Sequence, residues 1–297
     1  MSALESAPDL KTVTDERDAL AALAAGASFE VTASAYDKLP SPGAMPAGTR
    51  VYLPFLPGAA FADNVELCGR LAGAGMRPIP HLAARSVVSE AELEAALPRY
   101  VEAGADGILL IAGDPDEPQG PYADTMQLLE SGILIRHGIN RIGVAGHPEG
   151  HPRAGNDVLL DALRFKQAYA REQSIDMWVT TQFVFEADQL AQWDRELRDA
   201  GIDMPVHVGI PGPAKMRTLL SFALSCGVGT SMRMLQKRPG AARLLGRWSP
   251  DELLSNIAAH VAATPHSLIE GVHIYPFGGL NGALEWRAGY LTTHAWV

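Results

Sequence analysis

Short apolar or β-branched runs alternate along this chain with longer segments whose apolar positions recur every three or four residues. The runs lie at 29–32, 50–54, 78–82, 107–112, 141–145, 177–182, 206–210 and 271–275. Most are apolar on both faces, the pattern of parallel strands covered by helices rather than of a sheet with one wet side. Between them, Phe61, Val65, Cys68 and Leu71–Ala72 mark one helix face. Ser89 with Glu92 predicts a capping box ahead of Leu93, Leu97 and Val101, in a helix that Pro98 should kink. Ser249, Pro250 and Glu252 predict a second capping box with proline at the first helical position. Gly75, Gly104 and Gly201, in AGM, AGA and AGI, each predict a helix end just before a strand.

Eight strand–helix units in 297 residues predict an α/β fold, a single-domain (β/α)8 TIM-type barrel with residues 1–26 as a helical lead-in. An open dinucleotide-binding sheet would place a glycine-rich turn after its first strand, and FEVTASAYDKL has none. Pro40, Pro42 and Pro46 make the first crossover irregular. Apolar residues at 47% supply a core, so disorder is excluded as the main state. A net charge of −10 lacks the basic footprint of a nucleic-acid binder. Cys68 and Cys226 cannot build a disulfide framework and read as buried thiols in a reducing compartment. The first residues lack a basic stretch followed by an apolar core, and no run approaches the ~18 apolar residues of a membrane helix. A soluble, cytoplasmic protein is expected.

A barrel of this type works at the C-terminal ends of its strands. Reading outward from each strand collects Glu30, His81, Asp114, His147, Glu149, His151, Gln182, His207 and Tyr275. Glu30 lies between Phe29 and Val31, where a carboxylate is costly unless used or paired. Its pKa should rise there, which suits a general acid; a structural ion pair is the plainer reading. Asp114, in AGDPDEP, is a ligand contact or a turn residue. His147 and His151 have the i, i+4 spacing of a zinc helix, but Pro148, Gly150 and Pro152 forbid a helix, so no metal ligand is assigned. Gln182, in VTTQFVF, offers an amide that both donates and accepts, which suits recognition.

The ordered motifs FE, PHL, GDP, HPEGHP, LRFK and TTQFVFEAD resemble those of the methylenetetrahydrofolate reductase family between Phe29 and Asp188. The resemblance implies a (β/α)8 barrel that binds FAD, takes hydride from NADH or NADPH, and interconverts 5,10-methylenetetrahydrofolate and 5-methyltetrahydrofolate. It implies Glu30 as the acid that opens the methylene bridge and Asp114 as the charge that stabilises the resulting cation. Gln182 and Tyr275 would contact folate. His81, Gly113, Asp114, Tyr122, Ala123, His147, His151 and Lys166 would hold the flavin, Lys166 facing its phosphates. The chain departs from the family at several places. Ala112 stands where the family has arginine, His147 where it has tyrosine, LPFLPG after the second strand where it has Thr-Tyr-Gly, and Gly282 where it has arginine.

Two other readings are compatible with the same residues. One is a flavin- or folate-binding barrel that relies on a separate electron donor or partner subunit. The other is a metal-dependent hydrolase using His81, His147, His151 and His207. Partners are then a small folate, no nucleic acid and no membrane, with a homo-oligomer or a redox subunit left open. Arg85, Lys215, Arg217 and Arg233 are candidates for folate's anionic tail, solvated surface charge being the plainer reading of each, and Trp286 and Trp296 read as a cap on the barrel rather than a subunit contact.

Overall fold

The eight predicted strands close into a parallel barrel in the order β1-β10-β7-β6-β5-β4-β3-β2. They are β1 (Ser28–Glu30), β2 (Arg50–Leu53), β3 (Arg77–Ala83), β4 (Ile108–Ile111), β5 (Arg141–Gly146), β6 (Asp176–Phe183), β7 (Val206–Pro211) and β10 (Ile269–Tyr275). The structure, a computed structural model, describes residues 10–56, 58–225 and 246–293. Cys226, Arg233 and Trp296 lie outside them. No helix among the described residues is long and apolar enough to cross a membrane.

The helices follow the predicted order. The lead-in is α1 (Glu16–Ala25), opened by Asp15, whose carboxylate accepts the amides of Arg17 and Asp18. The first crossover is irregular as expected: a four-residue helix, α2 (Ala33–Tyr36), precedes a 3-10 turn at Pro42–Ala44. Then come α3 (Val65–Gly73), α4 (Glu90–Glu102), α5 (Thr125–Glu130), α6 (Ile133–Arg136), α7 (Asn156–Gln173), α8 (Ala187–Asp199), α9 (Met216–Ser225), α10 (Asp251–Ala263) and α11 (Leu280–Thr293). Gly75, Gly104 and Gly201 take φ of 81°, 83° and 75°, the left-handed conformation that stops a helix before the next strand.

Two local expectations need adjustment. Ser89 does cap α4, accepting the Glu92 amide at 3.3 Å, but the helix is continuous through Pro98. The second capping box is absent. α10 begins at Asp251 with Pro250 at the cap position, which has no side-chain acceptor, and the Ser249 hydroxyl bonds the Asp251 carboxylate instead. A two-stranded antiparallel ribbon, β8 (Ala214–Lys215) with β9 (Arg247–Trp248), was not predicted, because two residues carry no periodicity.

Two compact units make up the chain. One comprises the described residues of 1–29, 146–161 and 180–297, the other those of 30–145 and 162–179. In the second unit, Tyr52, Ile79, Leu109 and Trp178 form a buried cluster. The Trp178 ring occupies the space that a side chain at position 143 would take: a Cβ on Gly143 would meet ring carbons at 2.8 and 2.9 Å. In the first unit, Phe183, Phe185, Ala214, Met216, Leu219 and Ala223 cluster, with Tyr275, Phe277 and Trp248 packed on them. Buried Arg287 on α11 donates to the carbonyls of Ala24 and Ala25, which satisfies acceptors left over at the end of α1. Asp194 on α8 accepts from His260 at 3.0 Å and from the Leu268 amide at 2.9 Å, tying α8 to α10 and to the entry of β10.

Candidate active site

Glu30 is the last residue of β1, and its carboxyl is 23% exposed. Burial in an apolar strand penalises the anion and pushes its pKa from 4.5 to about 7. His81 on β3 stands beside it, Nε2 to Oε2 at 3.8 Å. Burial also pushes the imidazole down to about 3, so His81 is neutral across the physiological range. Near neutral pH the shifts set a carboxyl close to half protonated beside a neutral imidazole, an arrangement that suits proton transfer better than a fixed ion pair. Tyr52 on β2 supports the pair. Its ring meets His81 edge-on at 6.1 Å, and its hydroxyl accepts from Trp178 Nε1 at 2.9 Å. Sequence reasoning passed over Tyr52 and Trp178. Polar atoms inside runs that read as wholly buried were the available signal, because such atoms must find partners.

The loop after β4 is held from β3. Gly113 takes φ 93°, and a Cβ there would come within 3.0 Å of the Ala83 side chain, so the backbone passes β3 closely because residue 113 is glycine. Asp114 is exposed on this loop. Arg85, following β3, donates Nε to the Ala123 carbonyl at 2.7 Å and Nη1 to the Pro115 carbonyl at 3.3 Å. Its guanidinium thus holds the loop together; sequence had offered it as a folate-tail cation. Tyr122 is buried and its hydroxyl donates to Glu90 at 2.8 Å, while the Ala123 amide donates to Gln127.

Lys166 lies on α7 with only 7% of its surface exposed. Burial lowers its pKa from 10.5 to about 8, with Asp124 acting against that effect. A cation stored at such a cost is suited to an anion. This residue fits the phosphates of a cofactor such as FAD, the group it is expected to face.

In the other unit, His147 and His151 follow β5 and pack edge to face at 4.9 Å. His151 Nδ1 accepts from the Arg153 amide at 3.2 Å. Pro148 and Glu149 line a polar cleft of about 190 Å³ with Gln189, Gln192, Trp193 and Glu196. Gln182, next to the end of β6, makes no hydrogen bond through its amide among the described residues, so both of its functions remain available. Tyr275 ends β10, donates its hydroxyl to the Thr181 carbonyl at 3.1 Å, and packs its ring among Phe183, His273 and Phe277. Buried His207 lies against Gly271. Among the described residues no three His, Cys, Asp or Glu side chains are grouped to hold a metal.

The sequence profile described as methylenetetrahydrofolate reductase matches residues 68–240, more than half of the chain. The chain belongs to the methylenetetrahydrofolate reductase family. Over 142 residues it is 31% identical to "Methylenetetrahydrofolate reductase 2" of Saccharomyces cerevisiae, a match covering 44% of this chain and 22% of that protein. It is likewise 31% identical over 140 residues to "Methylenetetrahydrofolate reductase 1" of Schizosaccharomyces pombe, with the same coverage. The matched stretch is thus about a fifth of the length of these relatives. Among solved structures, a Clostridium thermocellum protein described as binding two copies of 5-methyl-5,6,7,8-tetrahydrofolic acid shares the fold. Its TM-score is 0.51 at 11% identity, covering 89% of this chain and 94% of that one. Family membership agrees with the motif order that runs from Glu30 to Gln182.

Proposed function

We propose that the protein is an oxidoreductase that interconverts 5,10-methylenetetrahydrofolate and 5-methyltetrahydrofolate with FAD as cofactor and NADH or NADPH as electron donor. The observation that carries this reading is Glu30, a carboxyl whose pKa burial raises to about 7 and to which the motif resemblance gives the role of the acid. The methylene bridge of the substrate must open to an iminium cation before a hydride can reach it. Opening requires a proton on the leaving nitrogen. A carboxyl with a pKa of about 7 is half protonated at neutral pH and can both deliver and recover that proton. Asp114, exposed on its loop, supplies negative charge for the cation. Gln182, whose amide makes no hydrogen bond among the described residues, would orient the pterin, with Tyr275 at the end of β10 as a second contact. Lys166, a buried cation, would hold phosphate oxygens as a point charge, and the resemblance assigns the flavin's other contacts to His81, Gly113, Asp114, Tyr122, Ala123, His147 and His151. FAD, when bound, would take hydride from the nicotinamide and, once reduced, pass it to the substrate.

A second reading, a folate flavoprotein served by a separate electron donor, is favoured by the altered LPFLPG segment and by Ala112 in place of the family's arginine. One experiment separates the two. The purified protein is mixed without oxygen with NADH, NADPH or 5-methyltetrahydrofolate, and the visible flavin band is followed. Bleaching by a nicotinamide supports the first reading and names the donor. Bleaching by 5-methyltetrahydrofolate alone supports the second. A protein that takes up no FAD and turns over no folate overturns both.

A further inference from the structure

We propose that His81 is a positioning residue for the acid: its Nε2–H is the donor that receives the Glu30 carboxylate when that residue gives up its proton. The inference rests on the reading of Glu30 as the acid. Nε2 of His81 is buried and has no hydrogen-bond partner among the described residues, although buried polar atoms are nearly always paired. The Glu30 carboxyl oxygen stands 3.8 Å away, about one ångström beyond a charge-assisted hydrogen bond. The His81 ring packs at a steep angle to Tyr52, whose hydroxyl accepts from Trp178 Nε1.

In this assignment the proton sits on Nε2 and Nδ1 is bare. Toward a neutral carboxyl such an N–H makes at most an ordinary hydrogen bond; toward the carboxylate the bond is charge-assisted and about twice as strong. Once the proton leaves, the buried carboxylate needs a donor, and this N–H needs an acceptor. The contact therefore strengthens as charge develops, which is the condition for it to favour the transition state over the ground state. Because His81 is neutral, it contributes a dipole and not a second charge. Among the described residues, His81 from β3 faces Glu30, and Tyr52 from β2 stands behind the His81 ring. Burial is the cause acting on both Glu30 and His81.

The test uses the full chain without added ligand. Glutamate is labelled with ¹³C at the side-chain carboxyl, and the Glu30 signal is identified by its loss in Glu30→Gln. His81→Leu is expected to raise the Glu30 midpoint above its starting value of about 7 by about one pH unit, and His81→Gln, which keeps an N–H at similar reach, to restore most of the shift. An unchanged midpoint overturns the proposal. A lowered one also overturns it, because it would make Nε2 an acceptor for the neutral acid. Should His81→Leu fail to fold, ¹⁵N spectra of the wild-type histidines decide the matter: Nε2 of His81 must carry the proton near pH 6, and a bare Nε2 overturns the proposal. Folate turnover that survives Glu30→Gln would instead overturn the acid reading while leaving the NMR result intact.

Discussion

Lys166 offers the sharpest quantitative test, because burial is expected to cost the protein stability there in exchange for ligand binding. Its pKa falls from 10.5 to about 8 on folding, and one pKa unit corresponds to about 1.4 kcal/mol, so keeping the ammonium charged costs about 3 kcal/mol at neutral pH. The side chain is 7% exposed, so solvent screening takes little from that figure. A base whose pKa is depressed in the folded state binds fewer protons there than in the unfolded chain. The penalty is therefore complete below pH 8, shrinks between 8 and 10.5, and vanishes above. Lys166→Met, of similar length and uncharged, should stabilise the ligand-free protein by up to about 3 kcal/mol at pH 7 and by almost nothing near pH 10.5. Equilibrium urea unfolding at the two pH values, on protein stripped of small molecules, measures both numbers. The same variant should bind FAD more weakly, because the anion loses its buried partner. A variant no more stable than wild type at pH 7, or equally stabilised at both pH values, would refute the reasoning.

Other substitutions test separate parts of the argument. Glu30→Gln should nearly abolish folate turnover while leaving the fold intact. It should also remove a stability loss of about 3 kcal/mol, absent below pH 4.5 and complete above about pH 7, visible as a flatter urea midpoint-versus-pH curve. Gly143→Ala should cost about 1–3 kcal/mol in urea unfolding, because the new methyl meets the Trp178 ring and Leu109 at under 3 Å. Asp194→Asn should cost on the order of 3 kcal/mol. Burial alone would raise the pKa of Asp194, but His260, the Leu268 amide and Arg198 bring it below its ordinary value. The deficit should therefore be full at pH 7 and narrow in acid, as wild type loses its own carboxylate.

Sequence alone determined the repeating unit. Strand runs apolar on both faces, helix faces at three- and four-residue intervals, and left-handed glycines before β3, β4 and β7 are local signals, and each formed where expected. The acid at Glu30 was legible for the same reason: a carboxylate inside an apolar run is anomalous wherever the chain goes. Membership of the family was written in motif order, which needs no coordinates. The neighbours of each polar residue are fixed only in three dimensions. His81 against Glu30, Tyr52 beside His81, Arg85 across to Pro115 and Ala123, and Lys166 buried near Asp124 all join separate stretches of sequence, 29 to 51 residues apart. Desolvation and hydrogen-bond geometry depend on what tertiary packing brings alongside a group. A linear pattern can name the groups that will carry chemistry, while their protonation and their partners are properties of the folded barrel.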